Sequence, residues 1–171
     1  MKTAPKMITS LEPHQIFVFG SNEQGFHGAG TAGYAQRGTA DNTWRTDPQF
    51  LKAKDSPEGS PDRVGKWAIY GIGRGHMVGH EGQSYAIATV TRAGRRRSQS
   101  LHNILAQFKE LGHFAVEHPE LEFLLTISGG GYNGWSVPEI QRVYDTWLQT
   151  ETIPENILLP PDYHEVGCKN A

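Results

Sequence analysis

Residues with the chemistry of a phosphate-binding loop follow the first apolar run of the chain. This run, Ile16 to Phe19, leads directly into the segment 20–30, GSNEQGFHGAG. Glycines let a backbone approach a ligand closely, the start of a helix offers N–H groups to an anion, and an asparagine adds a donor and an acceptor. The segment predicts a ligand-binding loop, unless Asn22 and the glycines only shape the turn. The candidate binding residues are Gly20, Ser21, Asn22, Gly25, Gly28 and Gly30.

A second glycine-rich segment, residues 128–135 with the sequence SGGGYNGW, follows another apolar run. Three consecutive glycines can form a concave stretch of N–H groups that suits a diphosphate. The aromatic residues of the segment can stack on a sugar or a base. The alternative is a tight turn between a strand and a helix, with the aromatic residues packed. The candidate binding residues are Ser128, Gly129, Gly130, Gly131, Tyr132, Asn133 and Trp135.

A third glycine-rich segment, residues 71–83, contains two histidines four residues apart and an adjacent glutamate. On a helix, His76, His80 and Glu81 would have the spacing of a metal site. The glycines around them disfavour a helix. We therefore interpret the segment as a surface hairpin, with a flexible flap over a ligand as the alternative, and we predict no metal or cofactor.

Four arginines, Arg92, Arg95, Arg96 and Arg97, precede the longest amphipathic segment of the chain. Such a cluster can contact phosphate groups or nucleic acid. Few aromatic residues lie among these arginines, and their position between a predicted strand and a predicted helix is typical of a loop. We therefore interpret the cluster as a solvated loop.

The elements that must position these segments alternate between strands and helices. Continuous apolar or β-branched runs predict strands at 16–19, 67–70, 84–90, 121–127 and 156–159. Amphipathic or proline-initiated segments predict helices at 28–37, 98–118 and 138–148. The polar residues 38–66, with three prolines, predict a long surface loop. This order predicts an α/β domain with a mixed, largely parallel sheet, and it places both glycine segments at the carboxyl edge of that sheet.

Length, charge and cysteine content limit the classes of protein. The 171 residues predict a single domain over 1–171, and the net charge of −2 argues against wholesale binding to nucleic acid. No run has the length of a membrane helix. The single cysteine, Cys168, excludes a disulfide framework and a zinc–thiolate cluster, and it lies in a tail that we expect to fray. We expect a cytoplasmic protein without membrane contact, with nucleic acid disfavoured as a partner.

The two glycine segments together resemble those of macro domains, the α/β/α fold that binds ADP-ribose. Phe19-Gly20-Ser21-Asn22 and the glycines after it stand where the family has an Asn-Ala-Ala-Asn motif and a glycine-rich loop. Residues 128–138, SGGGYNGWSVP, resemble the family's diphosphate loop. The Phe-Gly-Ser-Asn signature and the segment 82–87, GQSYAI, make the chain most similar to short macro-like proteins of phages and bacteria. This resemblance implies a three-layer α/β/α domain.

The resemblance also implies a ligand, namely ADP-ribose or a related nucleotide-sugar phosphate. In the family's pattern, Asn22 would contact the distal ribose, the residues from Gly129 would surround the diphosphate, and Tyr132 would lie beside the ribose. The family's Gly-Asp-Ile-Thr segment, whose aspartate reads adenine, is matched here by residues 6–9, KMIT. Met7 therefore stands at the place of the acid.

Binding and hydrolysis of this ligand are both compatible with these residues. In a hydrolase or phosphatase, Asn22 would hold the ribose hydroxyls, and His27 or Glu23 would transfer a proton as water attacks. These three residues are the catalytic candidates. The alternatives are a non-catalytic module that sequesters or senses a nucleotide signal and, less favoured, an interaction domain for nucleic acid or protein.

Overall fold

A five-stranded sheet forms the centre of the protein. The computed structural model describes residues 2–163 apart from the side chain of Tyr132, so Cys168 and the predicted tail lie outside the described residues. The strands are β1 (Gln15–Asn22), β2 (Gly75–Val78), β3 (Gln83–Val90), β4 (Glu122–Leu125) and β5 (Ile157–Leu158). Their order across the sheet is β2-β3-β1-β4-β5. Strand β1 is parallel to β3 and β4, β5 is parallel to β4, and β2 alone is antiparallel to its neighbour.

Alternate residues of β1 point to two separate cores, one on each face of the sheet. Ile16 and Val18 pack into a cluster with the apolar faces of two helices, whereas Phe17 and Phe19 pack on the opposite face. Within residues 2–163 the α-helices are α1 (Gly30–Arg37), α2 (Pro48–Asp55), α3 (Leu101–Glu117) and α4 (Val137–Thr150). Helices α3 and α4 cover the first face and α1 covers the second. The predicted three-layer α/β/α fold with a mixed, largely parallel sheet is confirmed.

The two long helices begin where their capping residues indicate. The Ser100 side chain accepts a hydrogen bond from the Asn103 N–H at the start of α3, which compensates for a missing backbone partner. At the start of α4, Ser136 and Glu139 form a reciprocal capping box, with Pro138 in the first turn. Phe108 of α3 stacks on Trp147 of α4, with ring centroids 5.2 Å apart. Within residues 2–163, none of the helices combines the length and the apolar character that crossing a bilayer requires.

Two of the predicted local structures are wrong. The predicted surface loop 38–66 contains α2, whose Phe50 is only 2% exposed. Here Pro48 occupies the first helical turn and the Asp47 side chain caps that turn, so the proline starts a helix instead of breaking one. The predicted strand 67–70 is not a strand, because the N–H of Trp67 donates to the Ala35 carbonyl of α1 rather than to the sheet.

Candidate functional site

Three loops meet at the carboxyl edge of the sheet. They are the β1–α1 loop (23–29), the β3–α3 loop (91–100) and the β4–α4 loop (126–136), and they follow three neighbouring parallel strands. The β3–α3 loop contacts the other two. Its Gln99 amide donates to the Glu23 carboxylate at 2.6 Å, and its Arg97 N–H donates to the Asn133 carbonyl at 2.7 Å. In open α/β sheets this edge is the usual place for a ligand, so we call the three loops the carboxyl-edge site.

The side chain of Asn22 closes the turn that follows β1. Its amide nitrogen donates to the Phe26 carbonyl at 2.9 Å, and its amide oxygen accepts from the Phe26 N–H at 3.0 Å. The residue is 5% exposed, and so is the neighbouring Ser21. The Asn22 side chain therefore stabilises the turn. This favours the alternative interpretation, in which Asn22 shapes the turn and does not contact a ligand.

Glycines of the first segment are required by packing. Gly25 has a φ of +68°, and a Cβ placed there would overlap the backbone of Gly71 and lie 2.7 Å from the Ile72 carbonyl carbon. A Cβ at Gly28 would lie 2.7 Å from the Phe26 ring. Both glycines are buried. Gly20 and Gly30 are half-buried, so these four glycines present little free backbone to a ligand.

His27 lies in the core and not on the loop surface. The residue is fully buried, its ring is 5.4 Å from the Phe19 ring, and its Nδ1 is 3.1 Å from the Gln36 side-chain oxygen. Burial lowers the pKa of His27 to about 4, and the hydrogen bond to Gln36 opposes this shift only in part. A neutral imidazole without solvent access cannot exchange protons with a ligand on this loop. The structure therefore gives no support to His27 as a proton-transfer group.

Glu23 is exposed, but its carboxylate is already paired. Arg74 of the segment before β2 forms an ion pair with it, with the Arg74 Nε 2.8 and 2.9 Å from the two carboxylate oxygens. The hydrogen bond from Arg74 is the main cause that lowers the pKa of Glu23, and a hydrogen bond from Gln99 adds to it, while burial opposes the shift. Glu23 thus joins the β1–α1 loop to two other segments as a charged carboxylate. That arrangement disfavours it as a general base.

The second glycine segment differs, because its middle glycines face open space. Gly130 and Gly131 are exposed, with φ values of +82° and +67°. Apart from their chain neighbours, no described residue has an atom within 4 Å of a Cβ built on either. The Gly130 N–H donates to the Trp135 carbonyl at 2.5 Å, and the Asn133 side chain accepts from the Trp135 N–H at 2.9 Å. One of the N–H groups predicted for a cradle therefore stabilises the loop itself. The backbone of Gly131 is exposed.

The aromatic residues of this segment have different surroundings from those predicted. Trp135 is 9% exposed and packs in the core between the sheet and helices α3 and α4. The Arg97 guanidinium covers its ring at 4.4 Å. The structure thus favours the packed alternative for Trp135. The side chain of Tyr132 lies outside the described residues, and its place beside a ribose stays a prediction.

The arginine cluster contacts the second glycine segment. Its interpretation as a solvated loop did not predict this contact. All four arginines are exposed. Arg96 nevertheless donates to the Gly131 carbonyl at 3.1 Å, and the Arg97 guanidinium donates to Glu139 at 2.9 and 3.1 Å. The only indication of this contact in the sequence is the predicted parallel sheet. Parallel strands β1, β3 and β4 bring the β3–α3 loop to the carboxyl edge, where the second glycine segment also lies.

Two other features lie away from these loops. The predicted hairpin is formed by β2 and β3, and His76 Nε2 there lies 2.6 Å from the Gln83 side-chain oxygen. Within the part of the chain that the structure describes, no group of three or more potential ligands could hold a metal ion. A cavity of about 380 Å³ lies between the end of α1, helix α2 and residues 61–66. None of the predicted site residues lines it.

Comparisons of the chain with protein-family models, with curated proteins and with solved structures find no match. The likeness to macro domains thus rests on sequence motifs alone.

Proposed function

We propose that the chain binds ADP-ribose or a related nucleotide-sugar phosphate at the carboxyl-edge site. The observation that carries this proposal is the exposed, side-chain-free backbone at Gly130 and Gly131. A backbone without Cβ atoms can approach a phosphate group closely, and a turn of successive positive-φ residues suits an anion. The nucleotide-sugar part of the proposal comes from the resemblance of the two segments to macro-domain loops.

The geometry favours binding over hydrolysis. Of the two candidate proton-transfer groups, His27 is fully buried and Glu23 is paired with Arg74. A general base must reach the attacking water and be free to accept its proton. The candidate residues do not meet this requirement, so a module that holds its ligand unchanged is the better supported of the two functions.

Calorimetric titration with ADP-ribose tests the proposal, with AMP and ribose 5-phosphate as control ligands. The matched variants are Gly130→Asp and Gly59→Asp. Gly59 has a φ of +83°, against +82° at Gly130, and both positions have open space around the would-be Cβ. The two variants therefore carry the same charge change, but only one carries it at the site. Gly130 has a ψ of −174°, and with its φ of +82° this is a backbone region essentially restricted to glycine. Gly130→Ala carries the same backbone strain without the charge and is therefore a second control.

We expect saturable binding of ADP-ribose to the unmodified chain and to Gly59→Asp, and we expect Gly130→Asp to bind at least about tenfold more weakly than Gly130→Ala because of charge repulsion. Chromatography of the ligand after long incubation should return intact ADP-ribose. A flat titration at millimolar ligand would refute the proposal, and so would equal affinity of Gly130→Asp and Gly130→Ala. Formation of product over time would instead establish a hydrolase.

A further inference from the structure

The β3–α3 loop concentrates positive charge beside the open glycines. Arg92, Arg95, Arg96 and Arg97 lie within six residues of a chain whose net charge is −2. Because all four are exposed, their charges act on whatever approaches this edge of the sheet. Arg96 and Arg97 contact the second glycine segment and the start of α4, whereas the Arg95 side chain has no hydrogen-bond or ion-pair partner among residues 2–163.

The contacts of Arg97 stabilise the loop itself. Its φ is +55°, its N–H donates to the Asn133 carbonyl, and its guanidinium lies over Trp135 and donates to both carboxylate oxygens of Glu139. The packing is tight, because a Cβ at Gly134 would lie 2.8 Å from the Arg96 Cβ. The arginine loop and the second glycine segment thus form one packed unit, in which Arg97 has a positioning role.

Arg96 has spare hydrogen-bonding capacity at the open end of this unit. One of its terminal nitrogens donates to the Gly131 carbonyl at 3.1 Å. A guanidinium has five N–H donors, and no carboxylate of residues 2–163 lies within ion-pair distance of Arg96. Arginine is also the side chain best suited to a phosphate, because its planar fork can form two parallel hydrogen bonds.

We propose that Arg96 is the residue of the carboxyl-edge site that contacts the phosphates of the ligand. Anchored to the Gly131 carbonyl, its guanidinium presents its remaining donors where the bare backbone of Gly130 and Gly131 admits an anion. The site then selects a ligand by its diphosphate, so that inorganic pyrophosphate competes with ADP-ribose and adenosine does not. This inference rests on the proposed function and adds to it the group that is recognised.

Arg95→Gln is the matched control for Arg96→Gln. Both arginines are exposed neighbours in one loop, both changes remove one positive charge, and the Arg95 side chain has no hydrogen-bond or ion-pair partner among residues 2–163. Arg96→Lys keeps the charge and removes the fork. Urea denaturation of each variant shows whether the fold is retained, and titrations with ADP-ribose and with pyrophosphate are run at low and at high salt.

We expect Arg96→Gln to weaken ADP-ribose binding at least tenfold, Arg96→Lys to weaken it less, and Arg95→Gln to change it less than threefold. The loss in Arg96→Gln should shrink at high salt, and pyrophosphate should no longer compete in this variant. If the unmodified chain binds ADP-ribose but Arg96→Gln and Arg95→Gln behave alike, the assignment of Arg96 is refuted and the proposed function stands. If the unmodified chain binds neither probe, both proposals are refuted.

Discussion

The two glycine-rich segments look alike in sequence but differ in what surrounds their glycines. In the first segment, Gly25 and Gly28 are buried, and an added Cβ would collide with backbone or with an aromatic ring. In the second segment, Gly129 is packed in the same way, with a would-be Cβ 2.6 Å from the Ser136 carbonyl oxygen, but Gly130 and Gly131 face open space. Packing thus requires glycine in one place, whereas in the other only the positive φ does, and no packing against described residues beyond the chain neighbours requires it.

This difference matters because glycine-rich loops after strands are often interpreted as phosphate sites from sequence alone. A glycine allows positive φ and close approach whether the approaching group is a ligand or another part of the chain. For Gly25 the approaching group is the backbone of Gly71 and Ile72. Only the middle of the second segment keeps the property that the phosphate interpretation needs.

The sharpest test of this comparison replaces Gly25 and Gly131 by alanine. Their φ values, +68° and +67°, are nearly identical, so both variants place a Cβ at a positive φ, whereas the space available to that Cβ differs. We expect Gly131→Ala to lower the free energy of unfolding by about 1–2 kcal/mol, the usual cost of a left-handed residue with a Cβ. Gly25→Ala should lose roughly 3–5 kcal/mol, because overpacking against backbone adds to that cost.

Urea denaturation of both variants measures this difference. A change in the midpoint without a change in the slope would show that native stability alone is affected. Equal losses in the two variants would mean that the first segment can move away from residues 71–72. The contrast between a packed and an open glycine segment would then be wrong.

Most of the fold could be predicted from the sequence, because buried parallel strands are continuous apolar runs and α3 has a regular apolar face. The errors have physical reasons. Helix α2 has eight residues and buries only Phe50 and Ala53, which is too few for a helical period to be visible. The run at Trp67 and Ala68 is buried against α1. Apolar composition does not indicate whether such a run is a strand of the sheet or a loop that packs on a helix.

The candidate site was less predictable, because its contacts join residues far apart in the chain. Arg74 and Glu23 are 51 positions apart, and Arg96 and Gly131 are 35 positions apart. Local patterns place the loops at one edge of the sheet but do not indicate which side chains pair there. The same limit applies to His27. This residue is buried against Phe19 and Gln36, and local sequence patterns do not indicate these contacts.

His27 allows a second test of how deeply the first segment is packed. Its pKa of about 4 lies below the unfolded value of 6.5, so the unfolded chain takes up a proton between these values and the folded chain does not. Stability from this residue is fully present above pH 6.5 and is lost as the pH falls towards 4. Between about pH 7 and pH 5 the loss should be about 2 kcal/mol.

Denaturation curves at several pH values check this expectation, with His27→Gln as the variant that cannot titrate. The variant starts from a lower stability, so the quantity compared is the decrease from neutral to acidic pH. The unmodified chain should lose about 2 kcal/mol more than the variant over this interval. If the stability of the unmodified chain and that of the variant fall equally with pH, His27 is in contact with solvent in the folded protein. A role of His27 in proton transfer would then be supported again.

The smallest effect is expected at Glu23, which is the exposed charged group of the first segment. Its side chain and that of Arg74 are 33% and 43% exposed, so solvent screens the ion pair. A double-mutant cycle with Glu23→Gln and Arg74→Gln should give a coupling of at most about 1 kcal/mol, decreasing with added salt. A coupling energy several times larger and insensitive to salt would show that the ion pair is shielded from solvent and stabilises the fold. In that case the packing seen at Gly25 extends to the surface of the first segment, and the second segment alone remains open to a ligand.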